Sequence, residues 1–349
     1  MIKPLSSGIL GIVTTNGCTA KCAHCLMNCA PGKKEKLSFE QIRKAIDQLK
    51  KDFSNIHLIT FTGGEPTLLG EDLIRAIRYC TLNSYNTKIV TNAHWATSLE
   101  RAKKYIKELR DVGLTELDFS VDDFHEPFVP LKNIKNAWEA CKGAGFTSVV
   151  IANSHGKKNK ITPAYIQKFL GEKIATDTAE FNVDATPNED GTTYLIHEAS
   201  LQKSGRAVEQ LNEKKYIDIG DRDNLSCCCP WICNDPVLSP IGHIWACCGI
   251  HADNNPILDL GNMAKESIKS ILNRASDNII LNALHYLGPV KVCKFVESHS
   301  DIRFNGKFYT VCELCGILTT NKEAIKVIRK NYEELVPLIL FEQEQEKRK

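Results

Sequence analysis

The feature that most limits the fold of this chain is a rhythm. From residue 8 to about 188, short apolar runs alternate with longer amphipathic stretches. "ILGIVTT" (9–15), "HLITFTGG" (57–64), "TKIVTNA" (87–93), "ELDFSVD" (116–122), "SVVIANS" (148–154) and "AEFNVDATP" (179–187) read as strands. Helical patterns lie between them at 38–53, 71–83, 98–113, 133–145 and 162–173. Ser38 and Gln41 are spaced as a capping box, and Gly113 suits a helix C-terminus. Such alternation implies an α/β fold, a parallel sheet with helices outside it. Ligands then belong at the C-terminal ends of the strands. Cys18, the Gly63–Gly64 pair, Asn92 and Asp122 all fall there.

Past about 190 the rhythm stops. Residues 197–211 read as one helix or two, 223–262 as irregular and Cys-rich, and 267–274 and 322–349 as helical. The expected domains are a core at 1–190, a helical connection at 191–225 and a Cys-rich unit at 226–349. Net charge is +2, which gives no bulk electrostatic case for nucleic acid. The short Lys-rich runs at 33–36 and 157–160 read as solvated loops. No apolar run is long enough to span a bilayer, and the N-terminus lacks a signal-peptide pattern. The expected location is the cytoplasm, with no membrane partner.

In that compartment 15 cysteines point to metal or redox chemistry rather than disulfides. Cys18, Cys22 and Cys25 form C-x3-C-x2-C, with Cys29 close behind, and nine more lie between 227 and 315. Cys80 and Cys141 sit in amphipathic helices and read as small apolar core residues. Three thiols on one loop suit an iron–sulfur cluster, or zinc if a fourth ligand joins. The second strand ends in Gly63, Gly64, Glu65 and Pro66. Taken alone, this is a tight turn that lets backbone approach a ligand.

The two motifs together, after strands one and two, resemble the radical S-adenosylmethionine (SAM) superfamily. The resemblance covers roughly residues 8–188. It implies a partial (β/α)6 TIM-like barrel and a 4Fe-4S cluster on Cys18, Cys22 and Cys25, with one iron open to SAM. An electron from the cluster would cleave SAM, and the 5′-deoxyadenosyl radical would take a hydrogen atom from the substrate. A flavodoxin or ferredoxin would supply electrons. His24 takes the place of an aromatic residue near the adenine, and Gly63, Gly64 and Glu65 are expected at the methionine amino group. Asn92, Ser120, Asp122, Asn153 and Arg206 are weaker cofactor-binding candidates. His125 is an acid–base candidate beside Asp122. Cys29 is expected to stand off the cluster.

Downstream, Cys229, Gly242 and Cys247, followed by Cys312 and Cys315, resemble the SPASM or twitch extension of that superfamily. There a β-hairpin with helices carries an auxiliary 4Fe-4S cluster. Its implied ligands here are Cys229, Cys247, Cys312 and Cys315. No cysteine follows Cys315, which departs from the longer, two-cluster form, although a degenerate second cluster stays open. Cys227 or Cys233 are substitute ligands, and a tetrahedral zinc site is the alternative. Relatives with this extension modify ribosomal peptides, build peptide-derived cofactors or dehydrogenate small molecules. The expected activity is peptide oxidation, crosslinking or epimerisation, and epimerisation would need a thiol such as Cys248 or Cys233 to return a hydrogen atom. The alternatives are a small-molecule dehydrogenase and a non-catalytic iron–sulfur or zinc protein. Peptide-modifying relatives often carry an N-terminal leader-binding domain, which is not expected here because the cluster loop begins at residue 18.

Overall fold

Strands form where every second residue is apolar and finds a helix behind it. The structure, a computed structural model, describes residues 2–177, 186–225, 228–248 and 251–347. Five strands follow the expected places closely: β1 (Ile9–Val13), β2 (Leu58–Thr62), β3 (Asn86–Thr91), β4 (Glu116–Ser120) and β5 (Ser148–His155), and a short β6 (Ala175–Asp177) was not expected. The strand expected over 179–187 falls largely outside the described residues. The helices between are α1 (Phe39–Asp52), α2 (Glu71–Leu82), α3 (Leu99–Asp111), α4 (Leu131–Cys141) and α5 (Pro163–Leu170). The capping box forms at α1: Ser38 accepts from the Gln41 amide, and Gln41 Oε1 accepts from the Ser38 amide at 2.9 Å.

The residues facing the helices are fully buried. Leu10, Ile12, Ile59, Phe61, Leu117 and Phe119 are all 0% exposed. Their neighbours along each strand face the lumen and stay half-buried. This is the one-sided alternation that fixes strand register. Cys80 and Cys141 are both 0% exposed, as small apolar residues in a core would be.

A seventh strand, β7 (Thr193–Ser200), pairs in parallel with both β5 and β6. It carries the sheet beyond position 190, where the change of composition suggested a boundary. It also replaces the helix expected from residue 197, because Tyr194 and Ile196 alternate at period two and bury against the sheet. A single turn, α6 (Ala207–Gln210), follows.

The Cys-rich region is joined to the same sheet. β8 (Val237–Leu238) pairs in parallel with β1, and β9 (His243–Trp245) and β10 (Asp259–Asn262) continue antiparallel. The ten strands run β10-β9-β8-β1-β2-β3-β4-β5-β7-β6, and the sheet does not close on itself. Helices α7 (Ile268–Ser276), α8 (Ile279–Tyr286), α9 (Gly288–Ser298), α10 (Val311–Thr320), α11 (Lys322–Lys330) and α12 (Tyr332–Glu346) complete the chain. The last two were expected as one helix, but the chain breaks at Asn331. The Ile268 amide donates to Gln48 of α1 at 2.8 Å, and the Ile2 amide donates to Asn282 of α8 at 2.9 Å. Among the described residues, no helix is long and apolar enough to cross a membrane.

Candidate active site

The cluster loop leaves β1 and is pinned at its base by bridges between Thr15 and Lys36 and between Gly17 and Ala30. The turn after β2 packs straight onto it. Gly64 donates its amide to the Thr15 carbonyl at 2.7 Å, and Glu65 donates to that of Gly17 at 2.9 Å. A Cβ on Gly64 would lie 1.9 Å from the Gly17 carbonyl oxygen, and one on Gly63 would lie 2.7 Å from that of Thr15. Gly63 also holds φ +132°, which favours glycine. The motif therefore joins two loops, as well as offering backbone to a ligand.

Glu65 is 0% exposed, and its carboxylate is engaged by protein. One oxygen accepts from Thr67 and from Thr91 Oγ1 at 2.8 Å, and the other from the Asn92 amide at 2.9 Å. It braces the end of β3. Asn92 in turn donates its side-chain amide to Thr19 at 3.0 Å and towards Cys18 Sγ at 3.7 Å.

Cys18, Cys22 and Cys25 open onto one cavity of about 400 Å³ with Gly63, Gly64 and Asn92. Burial pushes the Cys18 thiol up to about 12. The neighbouring Cys29 thiol holds Cys25 below the usual thiol range. Cys29 is pushed up in exchange, first by that same hydrogen bond and then by burial. Cys29 is 2% exposed and shares the cavity wall.

Arg206 is 6% exposed and latches this loop. Its guanidinium donates to the carbonyls of Cys22 at 2.7 Å and Cys29 at 2.6 Å, and its amide donates to that of Cys25 at 3.0 Å. Gly205 permits the approach: a Cβ there would lie 2.2 Å from the Leu26 carbonyl oxygen. A contact from Arg206 to the cofactor would compete with its two guanidinium bonds.

Asp122, 1% exposed, organises the far wall. Its carboxylate reaches His125 Nδ1 at 2.9 Å and His24 Nε2 at 3.3 Å, and accepts from the Phe124 and His125 amides. Burial opposes its charge, yet the two imidazoles hold its carboxyl well below the usual range. Burial likewise opposes a charge on His125, and Asp122 outweighs it, holding the imidazole well above its ordinary value. His24 stacks on Phe124 with ring centroids 4.6 Å apart. Ser120 lines the cavity. Asn153 does not: it donates to the Val121 and Ile161 carbonyls at 2.6 and 3.1 Å and braces loops behind it.

Sequence reasoning missed the wall formed by Ser154, Ser200 and Gln202. Gln202 Oε1 is buried without a hydrogen-bond partner among the described residues. The signal was the end of β7, hidden because that stretch resembled a helix.

A second, small cavity of about 30 Å³ gathers Cys229, Cys247, Cys248, Cys312 and Cys315 beside His251. Burial holds Cys315 well above the usual thiol range, and a hydrogen bond with Cys248, aided by burial, does the same for Cys247. Cys233 is elsewhere. It is 0% exposed beneath the hairpin, its amide donates to the Ala246 carbonyl, and burial pushes it up to about 12. Cys227 lies outside the described residues. A groove of about 910 Å³ lies beside both cavities, with Leu26 and Met27 in its lining and the first cavity's, and His251 in its lining and the second's.

Residues 12–160 match the Radical SAM superfamily. That stretch is a radical SAM domain. The chain is a radical SAM enzyme, and enzymes of this superfamily use a 4Fe-4S cluster and SAM. The "Putative peptide biosynthesis protein YydG" of Bacillus subtilis (strain 168) is 23% identical over 314 residues, 88% of this chain and 91% of that protein. The fold is similar to native anSMEcpe with bound AdoMet and Cp18Cys peptide, with a TM-score of 0.51, 14% identity and coverage of 95% and 98% of the two chains. It is also similar to BtrN in complex with AdoMet and 2-DOIA, with a TM-score of 0.50, 15% identity and coverage of 83% and 91%.

The residues present fit a cluster better than a single ion. Zinc–sulfur bonds of about 2.3 Å keep two thiolates on one ion within about 4.6 Å. Among the described residues, the only metal-capable trio within 4.8 Å is Cys22, His24 and His125. Neither Cys18, Cys22 and Cys25 nor any three of the second cavity's cysteines draw that close. Thiols that share a cavity yet stand wider than one ion allows suit a multi-iron group.

Proposed function

We propose that this radical SAM enzyme modifies a ribosomal peptide, with an auxiliary 4Fe-4S cluster in the second cysteine cavity. The observation that carries the substrate class is the groove of about 910 Å³. It passes the cluster loop at Leu26 and Met27 and reaches the second cavity at His251. An extended chain fills such a groove, whereas a small molecule needs only the first cavity. The name of YydG and the peptide bound to anSMEcpe support this reading.

Cys18, Cys22 and Cys25 hold the SAM-binding cluster, and Cys229, Cys247, Cys312 and Cys315 the auxiliary one. When bound, the first cluster supplies the electron that cleaves SAM, so that the 5′-deoxyadenosyl group takes a hydrogen atom from the substrate. This chain's residues shape the cavity for that event. Gly63 and Gly64 present backbone at its edge, Asn92 and Ser120 present polar side chains, and buried Asp122 keeps His24 and His125 fixed. A bound peptide would cover the open side of this cavity and exclude water from a reactive carbon centre. Cys248, exposed at the rim of the second cavity, is placed to return a hydrogen atom if the reaction is an epimerisation. Cys233, sealed in the core, is not. A flavodoxin or ferredoxin in the cytoplasm would supply electrons.

The test is anaerobic assembly with iron and sulfide, then SAM, dithionite and the short peptides encoded beside the gene. The expected result is 5′-deoxyadenosine together with a changed peptide. Hydrogen loss marks oxidation or a crosslink, and deuterium uptake from D2O marks epimerisation. Deoxyadenosine formation with every peptide unaltered and an aminocyclitol oxidised would overturn the substrate class. Zinc in place of iron, with no deoxyadenosine, would overturn both cluster assignments.

A further inference from the structure

The close trio of Cys22, His24 and His125 is not explained by cluster binding, which draws on Cys22 alone. One donor atom from each lies within 4.8 Å of the others. Asp122 engages His125 through Nδ1 and His24 through Nε2, and His125 also shares a side-chain hydrogen bond with Cys22, whose place an ion would take. The other His24 nitrogen, Nδ1, is buried without a hydrogen-bond partner among the described residues, on a side chain only 10% exposed. A buried polar atom without a partner costs about 1–3 kcal/mol, so the site favours something that satisfies it.

We propose that the cluster-free chain binds one divalent transition-metal ion through Cys22, His24 and His125, and that this ion and the cluster exclude each other. One thiolate and two imidazoles suit zinc or ferrous iron, with a fourth position left open. A carboxylate that orients ligating imidazoles through their far nitrogens is the usual support for such a site, and here a single Asp122 serves both rings. Donors at zinc distances of about 2.1–2.3 Å form a tetrahedron with edges of about 3.6 Å. The trio needs to draw in by no more than about 1.2 Å. Exclusion follows because Cys22 is required by both groups. The site is therefore a loading position for a first ferrous ion, and a place where zinc blocks cluster assembly.

The test uses the full chain, stripped of iron and metal and handled anaerobically, with Co2+ as probe. Any Co2+ held by thiols elsewhere would add to the total, so the readout is a difference between variants. The wild type is expected to bind one more equivalent of Co2+ than H24N or H125N, with the visible bands of a mixed sulfur–nitrogen site. C18A/C25A, which removes the loop's other cluster thiols, is expected to keep that ion. Zn2+ added before iron and sulfide is expected to slow cluster formation at the first site in the wild type and much less in H125N. Equal Co2+ stoichiometry in wild type, H24N and H125N would overturn the proposal. Loss of the ion in C18A/C25A would overturn it equally, since the three loop thiols would then be the ligands. Deoxyadenosine formation does not enter these readouts, so radical activity and this site stand or fall separately.

Discussion

The two cysteine cavities are built in opposite ways. In the first, all three thiols come from one loop, between Cys18 and Cys25, and backbone holds it. The turn at Gly63 and Gly64, the bridges at Thr15 and Gly17, and the Arg206 latch all act on main-chain atoms. In the second, the thiols come from Cys229 before the hairpin, Cys247 after β9, and Cys312 and Cys315 on α10. They meet because helices pack, and a long chain closure must be offset by that packing. Main-chain bonds hold the first site, whereas the second rests on the packing of segments distant in sequence, which a bound cofactor would tie together.

The comparison breaks most completely at the first loop. Replacing Cys18, Cys22 and Cys25 with alanine is expected to abolish 5′-deoxyadenosine formation while leaving the second cavity's iron. Iron analysis of the variant checks it. Loss of all iron would mean that the two sites assemble as one.

The Arg206 latch comes next. R206M removes two charge-assisted hydrogen bonds to buried carbonyls, each worth about 1.5–3 kcal/mol. The cluster loop should loosen by several kcal/mol, seen as faster amide exchange over residues 18–30 and lower iron occupancy there. R206K should recover only part, because one ammonium cannot reproduce the guanidinium fork. If SAM affinity falls while loop exchange is unchanged, the arginine serves the cofactor and not the loop.

Stripping both clusters sharpens the comparison further. Protease sensitivity should rise across residues 228–258 and 305–316 more than across the barrel strands, because bound metal supplies folding energy where distant segments converge. Equal loosening in both regions would mean that the second cavity is as preorganised as the first.

Legibility in the sequence follows the same divide. The barrel and first loop were readable because their signals are local: period-two strands, a capping box at Ser38, three closely spaced thiols, and glycines where any Cβ would strike backbone. The rest depends on long-range packing that no local pattern encodes. Glu65 was visible as part of a motif, but its engagement by Thr91 and Asn92 was not. The end of β7, with Ser200 and Gln202, was masked by polar residues that read as helix. The pairing of β8 with β1, which joins the Cys-rich region to the barrel sheet, rests on two residue pairs far apart in sequence.

The smallest expected effect tests whether the first loop holds three ligands or four. Cys29 lies beside Cys25 and shares the cavity wall, so proximity alone would allow it as a ligand. Its backbone speaks against that role. The Cys29 amide donates to Cys25 Sγ at 3.3 Å, its carbonyl accepts from Arg206, and its thiol is engaged by Cys25 and leans towards the Met27 carbonyl at 3.8 Å. C29A keeps both backbone bonds and loses only a thiol contact, worth about 0.5–1.5 kcal/mol as a hydrogen bond. Deoxyadenosine formation should therefore stay close to wild type, with a slightly less stable loop. A fall to the level of C25A would make Cys29 a ligand, and one of the other three loop thiols would then have to stay off the cluster for an iron to remain open to SAM.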